Sequence, residues 1–249
     1  MGVYVVGDIY MPMTTCWSKE FLEYSFPYRI FYYFVSLSFK RYFYYSPFCI
    51  STGAVVASGL GYNGVKKVGE KEEHRWDKIV SIYIFELETM TSPIDGMRYW
   101  NHMVHIWLKF YVQGRLVEPG KRPGFMESMS TFIVSAFWHG FQPMFYLMFF
   151  LAALIVEVAK DFFKARYIFK FIPSWLRPIL ANFFTMLGLN YLGTLHNAKS
   201  FTNGFMFMGA TYYFVYVGVV AILFVSRTFG LVKFAQSLEK KSVIATEKD

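Results

Sequence analysis

The chain has 249 residues, 55% of them hydrophobic and only 17% charged, well under the roughly 25% charged of soluble domains. Its formal net charge of +8 comes from short basic groups set between apolar runs, not from a continuous basic stripe, which excludes a nucleic-acid-binding surface. Two cysteines, Cys16 and Cys49, exclude a disulfide-stapled scaffold.

Four stretches, residues 42–65, 128–156, 178–198 and 200–226, contain no Asp, Glu, Lys or Arg. Each approaches or exceeds the ~20 residues that cross a hydrocarbon core as a helix. A soluble core would interrupt such runs with polar faces at helical period. The expected fold class is therefore all-α and polytopic, an integral membrane protein. No internal repeat or low-complexity linker divides it, so residues 1–249 are expected to form a single membrane domain.

In chain order, residues 1–27 lack a basic leader and carry Asp8, and so read as an irregular or interfacial lead-in, not a cleaved signal peptide. A first membrane helix is predicted over about residues 28–43, with tyrosines at both ends forming a belt at headgroup level. Pro47 is expected to open a second helix ending in the Gly59-Leu60-Gly61-Tyr62-Asn63-Gly64 loop. Residues 65–78, with Lys66, Glu70, Glu72, His74, Arg75 and Asp77, read as a solvated loop. Glu86, Glu88 and, further on, Glu157 read as solvated or interfacial charge.

From Pro93 the pattern changes. Trp100, Val104, Trp107, Leu108 and Tyr111 recur on one helical face, while Asn101 and His105, four apart, share another. Such an amphipathic helix lies against protein or lines a cavity. The next segment, Pro119-Gly120-Lys121-Arg122-Pro123-Gly124, is a loop.

Residues 128–156 pose a length problem. As one helix, 29 residues would measure about 43 Å, more than one crossing, yet two crossings need ~40 residues. A broken or strongly tilted pair with its break near Gly140 and Pro143 resolves the mismatch. Next come a membrane helix over 178–195, a turn holding His196, Asn197, Lys199 and Asn203, and a returning helix over 205–225. The basic segment 160–177 and the tail 228–249 are expected on the same, cytosolic side.

His139 lies in the middle of the longest charge-free run and beside the predicted break. An ionisable side chain at membrane depth is a functional candidate by default. Desolvation disfavours the imidazolium, leaving a neutral ring able to accept a proton from an attacking hydroxyl. The other reading is a core histidine hydrogen-bonded to a neighbouring helix. Trp138 supplies a rigid wall beside it, and Gly140 allows close approach of backbone or substrate. Asn101 can donate to a developing oxyanion, although an Asn on an amphipathic helix is ordinarily a polar-face residue. His102 and His105, even with His139, lack a zinc-ligand signature, so no metal is expected.

The ordered series Gly61-Tyr62-Asn63-Gly64, Trp76-Asp77-Lys78, Trp100-Asn101, Trp107-Leu108 and Ser135-Ala136-Phe137-Trp138-His139-Gly140, with Pro143 and Tyr146, resembles the membrane-bound O-acyltransferases, and within them the lysophospholipid acyltransferase branch. Met97-Arg98-Tyr99 stands where the sterol and diacylglycerol branch has a longer aromatic-acidic motif. The resemblance covers about residues 27–225. It implies a helical bundle of the family's C-terminal portion, with a broken helix pair around a catalytic histidine, in the endoplasmic reticulum membrane and with several crossings. The family's histidine and asparagine fall on His139 and Asn101. The first would be general base to the lysophospholipid hydroxyl; the second would orient substrate or stabilise the tetrahedral intermediate. Trp100, Trp138 and His105 are the expected substrate-binding side chains, with His105 standing where the branch commonly has an uncharged polar residue. The implied partners are acyl-CoA as co-substrate, a lysophospholipid and the bilayer, with no permanently bound cofactor and a homo-oligomer left open. Full-length members carry further N-terminal membrane helices, so the domain is expected to be N-terminally incomplete. A truncated non-catalytic protein of the same fold and, further off, a transporter are the alternative readings.

Overall fold

Helix α3 (Phe26–Ala57) is 32 residues long and packs against segments from both halves of the chain. The computed structural model describes residues 2–246, and in it α3 runs unbroken through Pro47. The two helices expected on either side of that proline are one. An interior proline removes one backbone hydrogen bond and crowds the preceding turn. Here Tyr44, Tyr45 and Phe48 all pack on the Trp100 ring, with centroids 5.5–6.3 Å apart, and hold the helix from both sides of the proline.

Residues 1–27 carry more helix than an irregular lead-in would. Helix α1 (Gly2–Tyr10), a 3-10 turn (Met13–Trp17) and α2 (Lys19–Glu23) fold back along α3. The Ser18 side chain accepts from the Phe21 amide and caps α2. The aromatic residues at the start of α3 differ from expectation as well. Tyr33 is fully buried against Tyr191 and Phe207, and Tyr32 is buried against Phe21. Their hydroxyls donate to Leu187 O and Pro12 O, which satisfies the polar end of each inward-facing ring. These two belong to the core, while Tyr28, Phe31 and Tyr42 remain exposed.

After α3, residues 65–74 form an exposed antiparallel hairpin, β1 (Val65–Val68) and β2 (Lys71–His74). The solvated segment is thus ordered, and the fold is predominantly but not wholly helical. Lysines of β1 face glutamates of β2 across the strands, Lys66 opposite Glu73 and Lys67 opposite Glu72, a favourable cross-strand arrangement.

Short helices α4 (Ile84–Thr89), α5 (Pro93–Tyr99) and α6 (His102–Trp107), a π-helical turn (Leu108–Gln113) and α7 (Gly114–Leu116) come next. The long amphipathic helix expected from Pro93 is therefore interrupted between Tyr99 and His102. The second half contains α8 (Phe125–His139), α9 (Pro143–Lys164), α10 (Leu176–Ala198), α11 (Phe201–Ala210), α12 (Phe214–Thr228) and α13 (Leu231–Thr246). Helices α8 and α9 pack on each other, and α9 packs on α10 and α12. Met144, Leu151, Tyr191, Leu195 and Phe207 are fully buried where these helices meet α3. At Gly193 a Cβ would stand 2.4 Å from Leu37 Cδ2, so this glycine sets the close approach of α10 to α3.

Among the described residues, α9 is long and apolar enough to cross a membrane alone, with a mean hydropathy of 1.8. The return expected as one helix over 205–225 is instead α11 and α12, bent by 71°. Tyr212 and Tyr213 at the bend both have φ of 51°, a left-handed conformation costly for non-glycine residues. It is held by Thr211, whose hydroxyl donates back to Phe207 O and Met208 O, and by Arg29, which donates to Ala210 O at 2.7 Å. Helix α10 is long enough to span but carries Asn182, Asn190 and Asn197, all hydrogen-bonded inward to α3 or α4 or back along α10.

Ion pairs gather where α9, the segment after it and the last two helices come together. Glu157 pairs with Lys160 and with Arg227, and Arg166 pairs with Glu239.

Candidate active site

His139 is the last residue of α8, and the break after it is built into the sequence. Gly140 adopts φ 119° and ψ −175°, a region that is essentially glycine-only. Pro143 then supplies the first turn of α9, where its missing amide costs nothing. The break expected near Gly140 and Pro143 is thus where the structure has it. No atom lies within 4 Å of the place a Cβ on Gly140 would occupy, so Gly140→Ala tests the backbone alone. It should cost about 1–3 kcal/mol of stability. A thermal-unfolding comparison with wild type checks this; an unchanged midpoint would remove the constraint.

The half-buried His139 imidazole stands among aromatic rings. Centroids of Trp138, Phe149, His196 and Phe145 lie 5.0, 5.3, 5.4 and 5.8 Å away. Among the described residues its nitrogens make no hydrogen bond, so the reading of a core histidine bonded to a neighbouring helix does not describe it. Trp138, expected as a rigid wall, is open to the outside. It is 53% exposed and touches His139 edge-on, with Phe137 and Phe141 outward-facing beside it.

Asn101 occupies the other break. Trp100 is extended, and Asn101 takes φ 45° and ψ 53° before α6 begins. Asparagine tolerates the left-handed conformation better than most residues. The break is fastened on both sides, His102 N donating to Ser81 O at 2.8 Å and Tyr83 N to Tyr99 O at 3.2 Å. Because the helix restarts here, Asn101 and His105 are related by the first turn of α6, the His105 amide donating to Asn101 O at 3.1 Å. His105 is half-buried, and desolvation, then the nearby His102, Arg98 and Lys109 charges, hold its imidazole below the ordinary range. The shift favours the neutral form of the ring, which lessens its difference from an uncharged polar side chain at that position.

The two breaks are joined through α3 and α10. Trp100 packs on Tyr44, whose hydroxyl donates to Asn197 Oδ1 at 3.1 Å. Asn197 is next to His196, whose ring meets His139 and stacks on Phe145 at 4.8 Å. His196 carried no functional signal as a turn residue. Its signal was its place at the end of a charge-free run that extends to Ala198, which makes it part of the last turn of a helix. Glu88, read as solvated, is paired with Arg41 on α3.

Among the described residues, no three His, Cys, Asp or Glu side chains converge as metal ligands. An open groove of about 460 Å³ runs along α12, lined by Tyr216, Val217, Val220, Ala221 and Phe224. It includes neither His139 nor Asn101.

The profile of the MBOAT, membrane-bound O-acyltransferase family, matches residues 1–202. "Lysophospholipid acyltransferase" of Saccharomyces cerevisiae is 37% identical over 153 residues, 61% of this chain and 24% of that protein. "Lysophospholipid acyltransferase 2" of Arabidopsis thaliana is 28% identical over 229 residues, 91% of this chain and 49% of that protein. "Membrane-bound glycerophospholipid O-acyltransferase 2" of Homo sapiens is 28% identical over 204 residues, 80% of this chain and 37% of that protein. The chain spans between about a quarter and a half of the length of these curated relatives.

Proposed function

This chain belongs to the membrane-bound O-acyltransferase family, and we propose that it transfers a fatty acyl group from acyl-CoA to the hydroxyl of a lysophospholipid. The observation that carries this reading is the half-buried imidazole of His139, held at a helix break among rings and making no hydrogen bond among the described residues. The relatives' names, which specify lysophospholipid or glycerophospholipid acylation, supply the substrate class.

In the proposed reaction the lysophospholipid hydroxyl loses its proton to His139 as its oxygen attacks the thioester carbonyl carbon. The carbonyl oxygen becomes an oxyanion. Collapse of the tetrahedral intermediate breaks the C–S bond, and the CoA thiolate takes the proton back from the imidazolium. The imidazole is regenerated without a metal or a bound cofactor. Asn101 either orients the hydroxyl or donates its amide hydrogen to the oxyanion, with Trp100, Trp138 and His105 contacting substrate. We place the protein in the endoplasmic reticulum membrane with several crossings, α9 among them, and the paired basic segments around Glu157 on the cytosolic side.

The left-handed backbone at Asn101 permits a sharp test. Asn101→Gly keeps the conformation and removes only the amide, whereas Asn101→Ala also strains the break. In microsomes supplied with labelled acyl-CoA and a panel of lysophospholipids, wild type should acylate at least one headgroup class. Asn101→Gly should lower turnover by about 10²–10³, and Asn101→Ala by at least as much with an added loss of stability. No acylation of any acceptor by the wild-type chain would defeat the proposal, and full turnover in Asn101→Gly would remove Asn101 from it.

A further inference from the structure

The proposed acyl transfer gives His196 no part, yet its imidazole is in ring contact with that of His139. The two side chains come from α10 and from the end of α8, 57 residues apart in the chain, and meet with centroids 5.4 Å apart at 84°. His196 is itself held. Its ring stacks on Phe145, 22° from parallel, and Phe145 also touches His139. Behind it, the last turn of α10 is pinned by Tyr44 to Asn197 and by the Asn197 amide donating to Gly193 O at 2.8 Å. Asn203 Nδ2 donates to Ala198 O at 3.3 Å and closes that turn from α11. A freely rotating imidazole at the end of a helix would not have this support.

His139 needs such a neighbour. It lies at a helix terminus, followed by a glycine with unusual backbone freedom, and no hydrogen bond among the described residues fixes its ring. The rings in contact with it are those of Trp138, which is half exposed, Phe149, Phe145 and His196. An edge-to-face contact is directional, because the positive edge of one ring seeks the negative face of the other. We propose that His196 is a positioning residue for His139, its Phe145-stacked ring fixing the orientation of the His139 imidazole edge-on and so selecting which ring nitrogen faces the substrate hydroxyl.

This rests on the acyl-transfer reading for its consequence in turnover, but not for the geometry, and the two are tested separately. The rate at which diethyl pyrocarbonate carbethoxylates His139, followed by mass spectrometry of the full chain in detergent, reports how the ring is held. His196→Ala should change that rate several-fold, because the ring gains freedom. His196→Phe keeps a ring stacked on Phe145 and should return it towards wild type, whereas His196→Asn, polar but without a ring, should not. Equal rates in all four proteins overturn the proposal. So does a pattern in which Asn rescues and Phe does not, since that would make the contact polar and not a matter of ring packing.

In the acyl-transfer assay, His196→Ala should lower kcat by about 10–100-fold with little change in KM for the acceptor, as misplacement of a reacting group does, and His196→Phe should recover most of it. A loss confined to KM would also overturn the positioning role. If wild type transfers no acyl group while the carbethoxylation rates still show the expected order, the acyl-transfer reading fails and the positioning of His139 stands.

Discussion

His139→Ala is expected to lower acyl transfer by about 10²–10⁴, the usual contribution of a positioned general base, while leaving the fold intact. The side chain is half-buried and makes ring contacts but, among the described residues, no hydrogen bond, so its removal strands no polar partner there. Its neighbours keep their own support, Phe145 on His196 and Phe149 on Phe132. The loss should therefore fall on turnover. The measurement is initial rate with saturating acyl-CoA and acceptor in microsomes, normalised to protein amount, together with the unfolding midpoint of the purified variant. Wild-type turnover in His139→Ala would overturn the assigned base while leaving family membership untouched.

The second large effect is on stability and lies at Arg41. This side chain, 13% exposed on α3, makes a bidentate pair with Glu88 on α4, at 3.1 Å from Nε and 2.9 Å from Nη2. Its remaining nitrogen donates to Asn190 Oδ1 on α10, and the Tyr45 hydroxyl donates to Glu88 Oε1. Asn190 is completed by Phe34 O, and Asn182 donates to the backbone oxygens of Glu88 and Met90 at 3.0 and 2.8 Å. The network joins α3, α4 and α10 with every arm satisfied.

Removing one member of a buried pair ordinarily costs about 3–5 kcal/mol because a charge is left uncompensated. Glu88 is 30% exposed, so water relieves part of that penalty, and Arg41→Ala is expected to cost about 2–4 kcal/mol. Arg41→Lys should recover little, since an ammonium cannot reproduce the bidentate fork and the bond to Asn190 together. The double variant Arg41→Met with Glu88→Met should be more stable than Arg41→Met alone, because no unpaired charge remains. Chemical denaturation in detergent, followed by tryptophan fluorescence, reads all of these variants. A double variant less stable than the single one would show that the pair is more than mutually compensating.

Several features were legible in the residues because their causes are local. A charge-free run of 29 residues too short for two crossings had to be broken, and Gly140 and Pro143 were the residues near its middle suited to a break. The end of α10 was missed by one turn for the opposite reason. His196, Asn197 and Asn203 are typical turn residues by type, but Tyr44 and Gly193 give Asn197 the partners that let the helix continue. Pro47 misled similarly. Its local preference is to start a helix, and only the packing of Trp100 on the surrounding rings shows why α3 passes through it.

Glu88 and the Trp100-Asn101 break belong to the same class. A glutamate after an apolar segment is usually solvated, and nothing near it in sequence announces an arginine 47 positions earlier. The periodicity from Trp100 to Tyr111 fits one helix, yet the backbone bonds from His102 to Ser81 and from Tyr83 to Tyr99 favour a left-handed residue at Asn101. Composition, charge spacing and the placing of glycine and proline were enough by themselves to determine a helical chain with His139 at a break, since apolar runs and glycine or proline act over a few residues; the family came from the resemblance of the ordered motifs. Only the tertiary structure decided which helices continue, which polar groups are paired and that His196 faces His139. Those outcomes depend on contacts between segments far apart in the chain, where a satisfied partner outweighs local preference.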